Sequence, residues 1–260
     1  MKGRFVDKKL FILDMDGTIY LDDTPIPGAR EFVKTAREKG KRIIYFTNNA
    51  SKSIEMYYEK LNRLGFEVSD GDVISSADVT IDFLNKNHAG QSVYLVGTPA
   101  LEESFVKGGI NLSDGTKADI VVVSFDTTVT YEKLKNACML IDKGAIFYST
   151  HPDFVCPVKD GYIPDSGAIC ALVTAATGKK PRYFGKPHYE TASYLINHAK
   201  VDFNSAAVVG DRLYTDIALG KANGITSILV LSGESTKSDI NNQNAPDFVV
   251  ESIGNLINDI

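Results

Sequence analysis

Asp14-Met15-Asp16-Gly17-Thr18 follows directly on the apolar run Leu10-Phe11-Ile12-Leu13. Side chains on a strand alternate with a period of two. Carboxylates at positions 14 and 16 therefore project to one side if the strand continues. Gly17 then lets the chain turn sharply away. Negative charges gathered at a buried strand end are costly unless a cation or a reaction uses them. Three other segments carry complementary groups: Thr47-Asn48-Asn49 after Ile43-Ile44-Tyr45-Phe46, Lys186 within Phe184-Gly185-Lys186-Pro187, and Gly210-Asp211-Arg212, with Asp216 five residues past Asp211.

Asp14, Asp16 and Asp211 make a set of hard oxygen ligands, and no His or Cys stands beside them to favour zinc. Such a set suits Mg²⁺, which takes one or two carboxylates together with substrate phosphate oxygens and keeps several waters. Lys186 supplies a point charge for a phosphate, and Thr47 and the backbone N–H groups near it can donate to phosphate oxygens. These parts describe phosphoryl transfer, in which positioning and charge neutralisation supply most of the catalysis. One carboxylate can attack phosphorus and form an acyl phosphate that water later cleaves. The other then protonates the leaving alcohol and afterwards deprotonates the water. Spacing alone does not assign these two roles between Asp14 and Asp16.

The elements that must position these residues alternate along the whole chain. Strands are expected at 9–13, 42–46, 92–96, 119–124, 145–149, 206–209, 226–231 and 248–250. Helical spacing of apolar residues marks 28–39, 53–64, 76–87, 131–143, 166–177 and 188–199, and the segment 213–223 follows the strand at 206–209. This alternation predicts an α/β fold with parallel sheets and right-handed crossovers. In such sheets ligands gather beyond the carboxyl ends of the strands. The polar strand ends lie before residue 50 and after residue 180, and the stretch between has its own strand–helix alternation without such acids. A split core of residues 1–80 and 182–260 with a second domain inserted at 81–181 is therefore expected.

The chain has 260 residues, 43% of them apolar, and a formal net charge of −5. Nothing in that balance suggests a nucleic-acid partner, and no stretch reaches the roughly 20 apolar residues of a membrane span. The polar start, Met1-Lys2-Gly3-Arg4, does not read as a signal peptide. Cys138, Cys156 and Cys170 lack metal-site or redox spacing and read as reduced thiols, so a cytoplasmic location is expected.

The ordered motifs resemble those of the haloacid dehalogenase (HAD)-like hydrolase superfamily: Asp14-Met15-Asp16-Gly17-Thr18, Thr47 after a strand, Lys186, and Gly210-Asp211-Arg212-Leu213-Tyr214-Thr215-Asp216. Asp16-Gly17-Thr18-Ile19-Tyr20, Pro27-Gly28-Ala29 and Phe46-Thr47-Asn48-Asn49-Ala50-Ser51 narrow the resemblance to the NagD-like, p-nitrophenylphosphatase subfamily. It implies a Rossmann-like core with a large α/β cap inserted between the threonine and lysine motifs. It also implies a Mg²⁺-dependent phosphatase of small phosphorylated metabolites such as sugar phosphates, nucleoside monophosphates and p-nitrophenyl phosphate. Asp14 would be the nucleophile and a Mg²⁺ ligand, and Asp16 the acid/base, binding Mg²⁺ through its backbone carbonyl. Thr47 would hold the phosphoryl group, Lys186 would stabilise the charged intermediate, Asp211 would ligate Mg²⁺, and Asp216 would act through water or by orienting Lys186. Asn48 stands where the family approaches its substrate, and Asn49, His151 and Asp153 are further candidate substrate-binding residues, although His151 occupies a position where many relatives carry Asn. The resemblance further implies a cap that selects the leaving group, and caps that touch in a homodimer. A phosphomutase or phosphotransferase of the same superfamily is the alternative reaction, and a receiver-like phosphate-accepting signalling module the alternative function. A dehalogenase has no need of Asp16.

Overall fold

The computed structural model describes residues 3–158 and 161–260. In chain order the first elements are β1 (Leu10–Leu13), β2 (Tyr20–Leu21), β3 (Thr24–Pro25), α1 (Ala29–Glu38), β4 (Arg42–Thr47), α2 (Ile54–Arg63) and β5 (Val73–Ser75). There follow α3 (Ser76–Asn87), β6 (Ser92–Val96), α4 (Pro99–Lys107), β7 (Asn111–Leu112), β8 (Ile120–Val123), α5 (Tyr131–Asp142), β9 (Ile146–Ser149), β10 (Val155–Val158), β11 (Gly161–Pro164), α6 (Ser166–Thr177) and β12 (Arg182–Tyr183). The chain ends with α7 (Tyr189–Ala199), β13 (Ala206–Gly210), α8 (Ala218–Asn223), β14 (Thr226–Val230) and β15 (Phe248–Val250). This is the α/β architecture that the strand–helix alternation predicts.

The structure divides into two units. The first holds Met1–Thr47, Ile54–Ile74 and Lys186–Ile260; the second holds Asn48–Ser53 and Ser75–Gly185. Unit 1 is built on a six-stranded sheet in the order β15-β14-β13-β1-β4-β5. β1 lies between β13 and β4, parallel to both, with Leu13 opposite Val209 on one side and Tyr45 on the other. All of β1 is buried, as expected for a parallel strand covered on both faces. One face packs on α1 through Ala29, Phe32, Val33 and Ala36, the residues of its apolar stripe.

Unit 2 carries a five-stranded sheet, β12-β9-β8-β6-β7, again with parallel pairs. Its helices start at recognisable caps. Ser75 and Asp78 form a capping box at α3, Thr98 accepts from the Leu101 amide ahead of Pro99 in α4, and Asp165 accepts from the Ser166 amide at α6.

Several details depart from the sequence reading. The units change at residues 47/48, 53/54, 74/75 and 185/186, where the sequence suggests boundaries at 80/81 and 181/182. A cut at residue 80 would fall inside α3, whose Ala77 and Leu84 pack in one cluster with Val93 and Leu95 of unit 2. The short helix α4 and the antiparallel pair β10–β11 are elements that the sequence pattern does not predict. Segment 213–223 is not one regular helix. It opens with a wide π-type turn over Leu213–Ile217, in which the Arg212 carbonyl accepts from both Asp216 N (3.1 Å) and Ile217 N (3.2 Å). Among the described residues no helix is long and apolar enough to cross a membrane.

The β1–α1 contact is the keystone of the unit 1 core. The rings of Phe11 and Phe32, both fully buried, meet edge to face with centroids 5.3 Å apart. Replacing Phe32 by Ala should cost roughly 3–5 kcal/mol of unfolding free energy in a urea titration. A loss below about 1 kcal/mol would contradict this packing.

Candidate active site

The register of unit 1 decides which side chains meet. Val209, Leu13 and Tyr45 are aligned across three parallel strands, so Asp211, Asp14 and Thr47 emerge at the same carboxyl edge of the sheet. The Asp14 amide still donates to the Val209 carbonyl at 2.9 Å, which extends the ladder one residue past β1. The chain then turns. Met15 is buried in the core, Asp16 is exposed, and Gly17 adopts φ 82° while its amide donates to the Tyr20 carbonyl at 2.8 Å. The two acids of the opening motif thus part company: Asp14 faces the other site residues and the Asp16 side chain reaches solvent.

Lys186 joins from the first residue of the last segment of unit 1 and is almost wholly buried. Its Nζ donates to Asp14 Oδ1 and lies 2.6 Å from Asp216 Oδ1. Asp216 is held from its other oxygen, which accepts the Arg212 amide at 3.2 Å. Gly210 makes this possible, since a Cβ there would sit 2.1 Å from the Asp216 carboxyl carbon. On Asp211, Oδ2 accepts the Glu234 amide at 2.7 Å, while Oδ1 is buried with no hydrogen-bond partner among the described residues. Arg212 Nε in turn lies 2.9 Å from Glu234 Oε2.

Oxygens of Asp14, Asp211 and Asp216 all lie within 4.8 Å of one another. Three acids facing one buried ammonium leave an excess of negative charge, and burial resists it. Burial pushes the Asp14 carboxyl up to about 8; Asp216 and Asp211 add to the rise and Lys186 opposes it. Burial, seconded by Asp216, pushes Asp211 up to about 6 against the pull of the Glu234 amide. Burial works against the Lys186 ammonium, yet Asp14 and Asp216 outweigh it and raise its pKa. An all-oxygen cluster with excess charge and an unpartnered buried carboxylate oxygen fits a hard divalent cation. Asp211 offers the unpartnered Oδ1, whereas Asp216 is engaged by Lys186 and the Arg212 amide, and Asp14 Oδ1 by Lys186.

The remaining residues singled out in the sequence are placed as follows. Thr47 is buried at the end of β4. Asn48, Asn49, His151 and Asp153 belong to unit 2. There Asn48 Nδ2 donates to Asp153 Oδ2 at 3.1 Å, and the Asn48 carbonyl accepts from Ser76 Oγ at 2.6 Å. Asn49 Oδ1 accepts from the Ser51 amide and hydroxyl, closing a local turn. His151 is fully buried, with Nε2 2.8 Å from Asp165 Oδ1 and Nδ1 2.9 Å from Thr150 Oγ1. It links the end of β9 to the start of α6. Asp153 keeps one buried oxygen, Oδ1, with no hydrogen-bond partner among the described residues.

Sequence reasoning passed over residues 232–235. Glu234 contacts Asp211 through its main-chain amide, a group every residue but proline carries, so side-chain chemistry gave no signal. The nearest sequence cue was Gly233, placed just after a buried strand as Gly17 is.

Comparison with known proteins identifies the family. Residues 11–111 match the family model of haloacid dehalogenase-like hydrolases, and residues 183–256 match a HAD-hydrolase-like model. An acid sugar phosphatase of Staphylococcus aureus is 35% identical over 238 residues, covering 92% of each chain. The crystal structure of a 4-nitrophenylphosphatase from Thermotoga maritima superposes with a TM-score of 0.94 at 44% identity over 97% of each chain. NagD from Escherichia coli K-12 gives a TM-score of 0.89 at 31% identity over 95% of this chain and 97% of its own. The chain therefore belongs to the haloacid dehalogenase-like hydrolase family, in the branch of NagD and the p-nitrophenylphosphatases.

Proposed function

We propose that this protein is a Mg²⁺-dependent phosphatase of small phosphomonoesters that works through an aspartyl phosphate on Asp14. The single observation that carries the reading is the Asp14–Lys186–Asp216 contact beside the half-open Asp211. Relatives named as an acid sugar phosphatase and a 4-nitrophenylphosphatase support it.

Lys186 occupies Oδ1 of Asp14, which leaves Oδ2 as the attacking oxygen. Attack forms the Oδ2–P bond and breaks the bond from phosphorus to the leaving oxygen. Asp16, exposed on the turn, gives that oxygen a proton and later removes one from the water that cleaves the acyl phosphate and frees inorganic phosphate. Thr47, at the same sheet edge, donates to a phosphoryl oxygen. Asp216 keeps Lys186 in place and charged. Asp14, Asp211 and the main-chain carbonyl of Asp16 would hold Mg²⁺, which supplies neutralisation of phosphate charge when bound. Unit 2, with Asn48, Asn49 and Asp153, is the part of the chain that selects the leaving group.

The enzyme should release phosphate from p-nitrophenyl phosphate in Mg²⁺ and stop when EDTA is added. Asp14→Asn should lower kcat by roughly 10³-fold or more with fold retained. Wild-type turnover in that variant would remove Asp14 from the reaction. Phosphate released in ¹⁸O-labelled water should carry the label; unlabelled phosphate passed to a second alcohol would indicate transfer in place of hydrolysis.

The acid cluster also predicts a pH signature. Asp14 rises from an ordinary 3.8 to about 8 on folding, and Asp211 to about 6. Between those limits the folded, cation-free protein binds more protons than the unfolded chain, so its stability falls as pH rises through this window. Mg²⁺ needs the ionised carboxylates and reverses the loss. The increase in melting temperature on adding Mg²⁺ should therefore be larger at pH near 8, about the upper end of the window, than near 5.5, inside it. An increase independent of pH, or larger in acid, would contradict the charge assignment.

A further inference from the structure

Residues 232–235, the turn after β14, contribute no side chain to the chemistry above, yet they close on Asp211 from several directions. The Glu234 amide donates to Asp211 Oδ2 at 2.7 Å, and the Ser235 amide donates to the Asp211 carbonyl at 3.1 Å. Gly233 approaches so closely that a Cβ on it would lie 2.0 Å from the same Oδ2. Gly17 also presses on this oxygen: its Cβ would lie 2.5 Å away. Ser232 Oγ donates to the Gly17 carbonyl at 2.7 Å, which ties the turn to the segment that carries Asp14 and Asp16.

The turn is itself tethered. Arg212 Nε lies 2.9 Å from Glu234 Oε2, and the Tyr214 hydroxyl donates to Glu234 Oε1 at 3.0 Å. Both tethers come from the stretch that follows Asp211 directly, so the carboxylate and the amide that holds it are bound into one short loop pair. Oδ2 is thereby engaged and walled in by two glycines, while Oδ1 remains buried and unpartnered among the described residues.

We propose that the 232–235 turn is a positioning element for the cation site. It fixes the Asp211 carboxyl so that Oδ1 faces the cation before any cation arrives, and the Glu234 side chain anchors the donating amide through Arg212 and Tyr214. Groups that orient a metal ligand from behind govern affinity nearly as strongly as the ligand itself. The inference rests on the reading that the acid cluster holds a divalent cation. Glu234 is a positioning residue: it works through its main-chain N–H, and its carboxylate serves as the tether.

The test is Mn²⁺ binding to the full chain without substrate, followed by the electron paramagnetic resonance signal of free Mn²⁺, beside thermal unfolding in EDTA. Gly233→Ala should weaken Mn²⁺ binding about tenfold or more, and Glu234→Ala should weaken it at least about fivefold. Glu234→Gln still offers an amide oxygen to Arg212 or Tyr214 and should stay within about threefold of wild type. A turn with a merely structural role would lower the melting temperature in EDTA and leave Mn²⁺ affinity unmoved. Affinities within about twofold of wild type for both Gly233→Ala and Glu234→Ala would overturn the proposal; should Gly233→Ala not fold, Glu234→Ala against Glu234→Gln decides it. Asp211→Asn separates the two levels. If that variant binds Mn²⁺ as wild type does, the cation reading itself fails. If it loses Mn²⁺ while the turn variants keep it, only the role of the turn is overturned.

Discussion

The buried ammonium of Lys186 between Asp14 and Asp216 is the contact on which the arrangement of unit 1 turns. A lysine buried this deeply is stable only when paired, and removing one partner of such a pair costs roughly 3–5 kcal/mol because a charge is left uncompensated. The pair also restricts topology. Asp14 comes from the end of β1, Asp216 from the turn after β13, and Lys186 from the point where the chain returns to unit 1. Their meeting requires β1 and β13 to be neighbours, and requires the long excursion through unit 2 to end at this edge. The third acid, Asp211, exceeds what one ammonium can neutralise. Burial first, and the neighbouring carboxylates after it, raise the Asp14 and Asp211 carboxyls, and a divalent cation would relieve both.

Much of this was legible in the sequence, for definite physical reasons. Asp14, Thr47 and Asp211 each follow an apolar strand, and the rule that ligands gather beyond parallel strand ends brings three distant segments to one edge. Their alignment then follows from register, with Leu13 between Val209 and Tyr45. Lys186 and Asp216 carried weaker signals. A lysine before a proline, or an acid early in a helix, is ordinary, and the resemblance to known enzymes supplied what pattern could not. The two-residue spacing of Asp14 and Asp16 suggests a shared face, but β1 ends at Leu13, so the strand period does not carry through to Asp16.

What the sequence concealed was mostly backbone. The Glu234 amide grips Asp211 whatever side chain Glu234 bears, and the closeness of Gly233 to the carboxylate shows only in three dimensions. His151 illustrates the converse. Its side chain attracted a binding role, yet both ring nitrogens are engaged inside unit 2, by Asp165 and Thr150. The first unit boundary falls a few residues before the one the sequence suggests, because α3 packs with Val93 and Leu95, which its sequence pattern alone does not show.

A division of labour follows. Under the proposed function, unit 1 carries the charged strand edge for phosphoryl chemistry, and unit 2 is the part proposed to distinguish leaving groups. The central claim is that Asp14 itself carries the phosphoryl group. It is tested most directly by mixing enzyme, Mg²⁺ and p-nitrophenyl phosphate, quenching during turnover, and reducing any acyl phosphate with borohydride before peptide mass spectrometry. Conversion of residue 14 to homoserine is the expected result; reduction at Asp16 in its place, or no reducible acyl phosphate at any time during turnover, would contradict it.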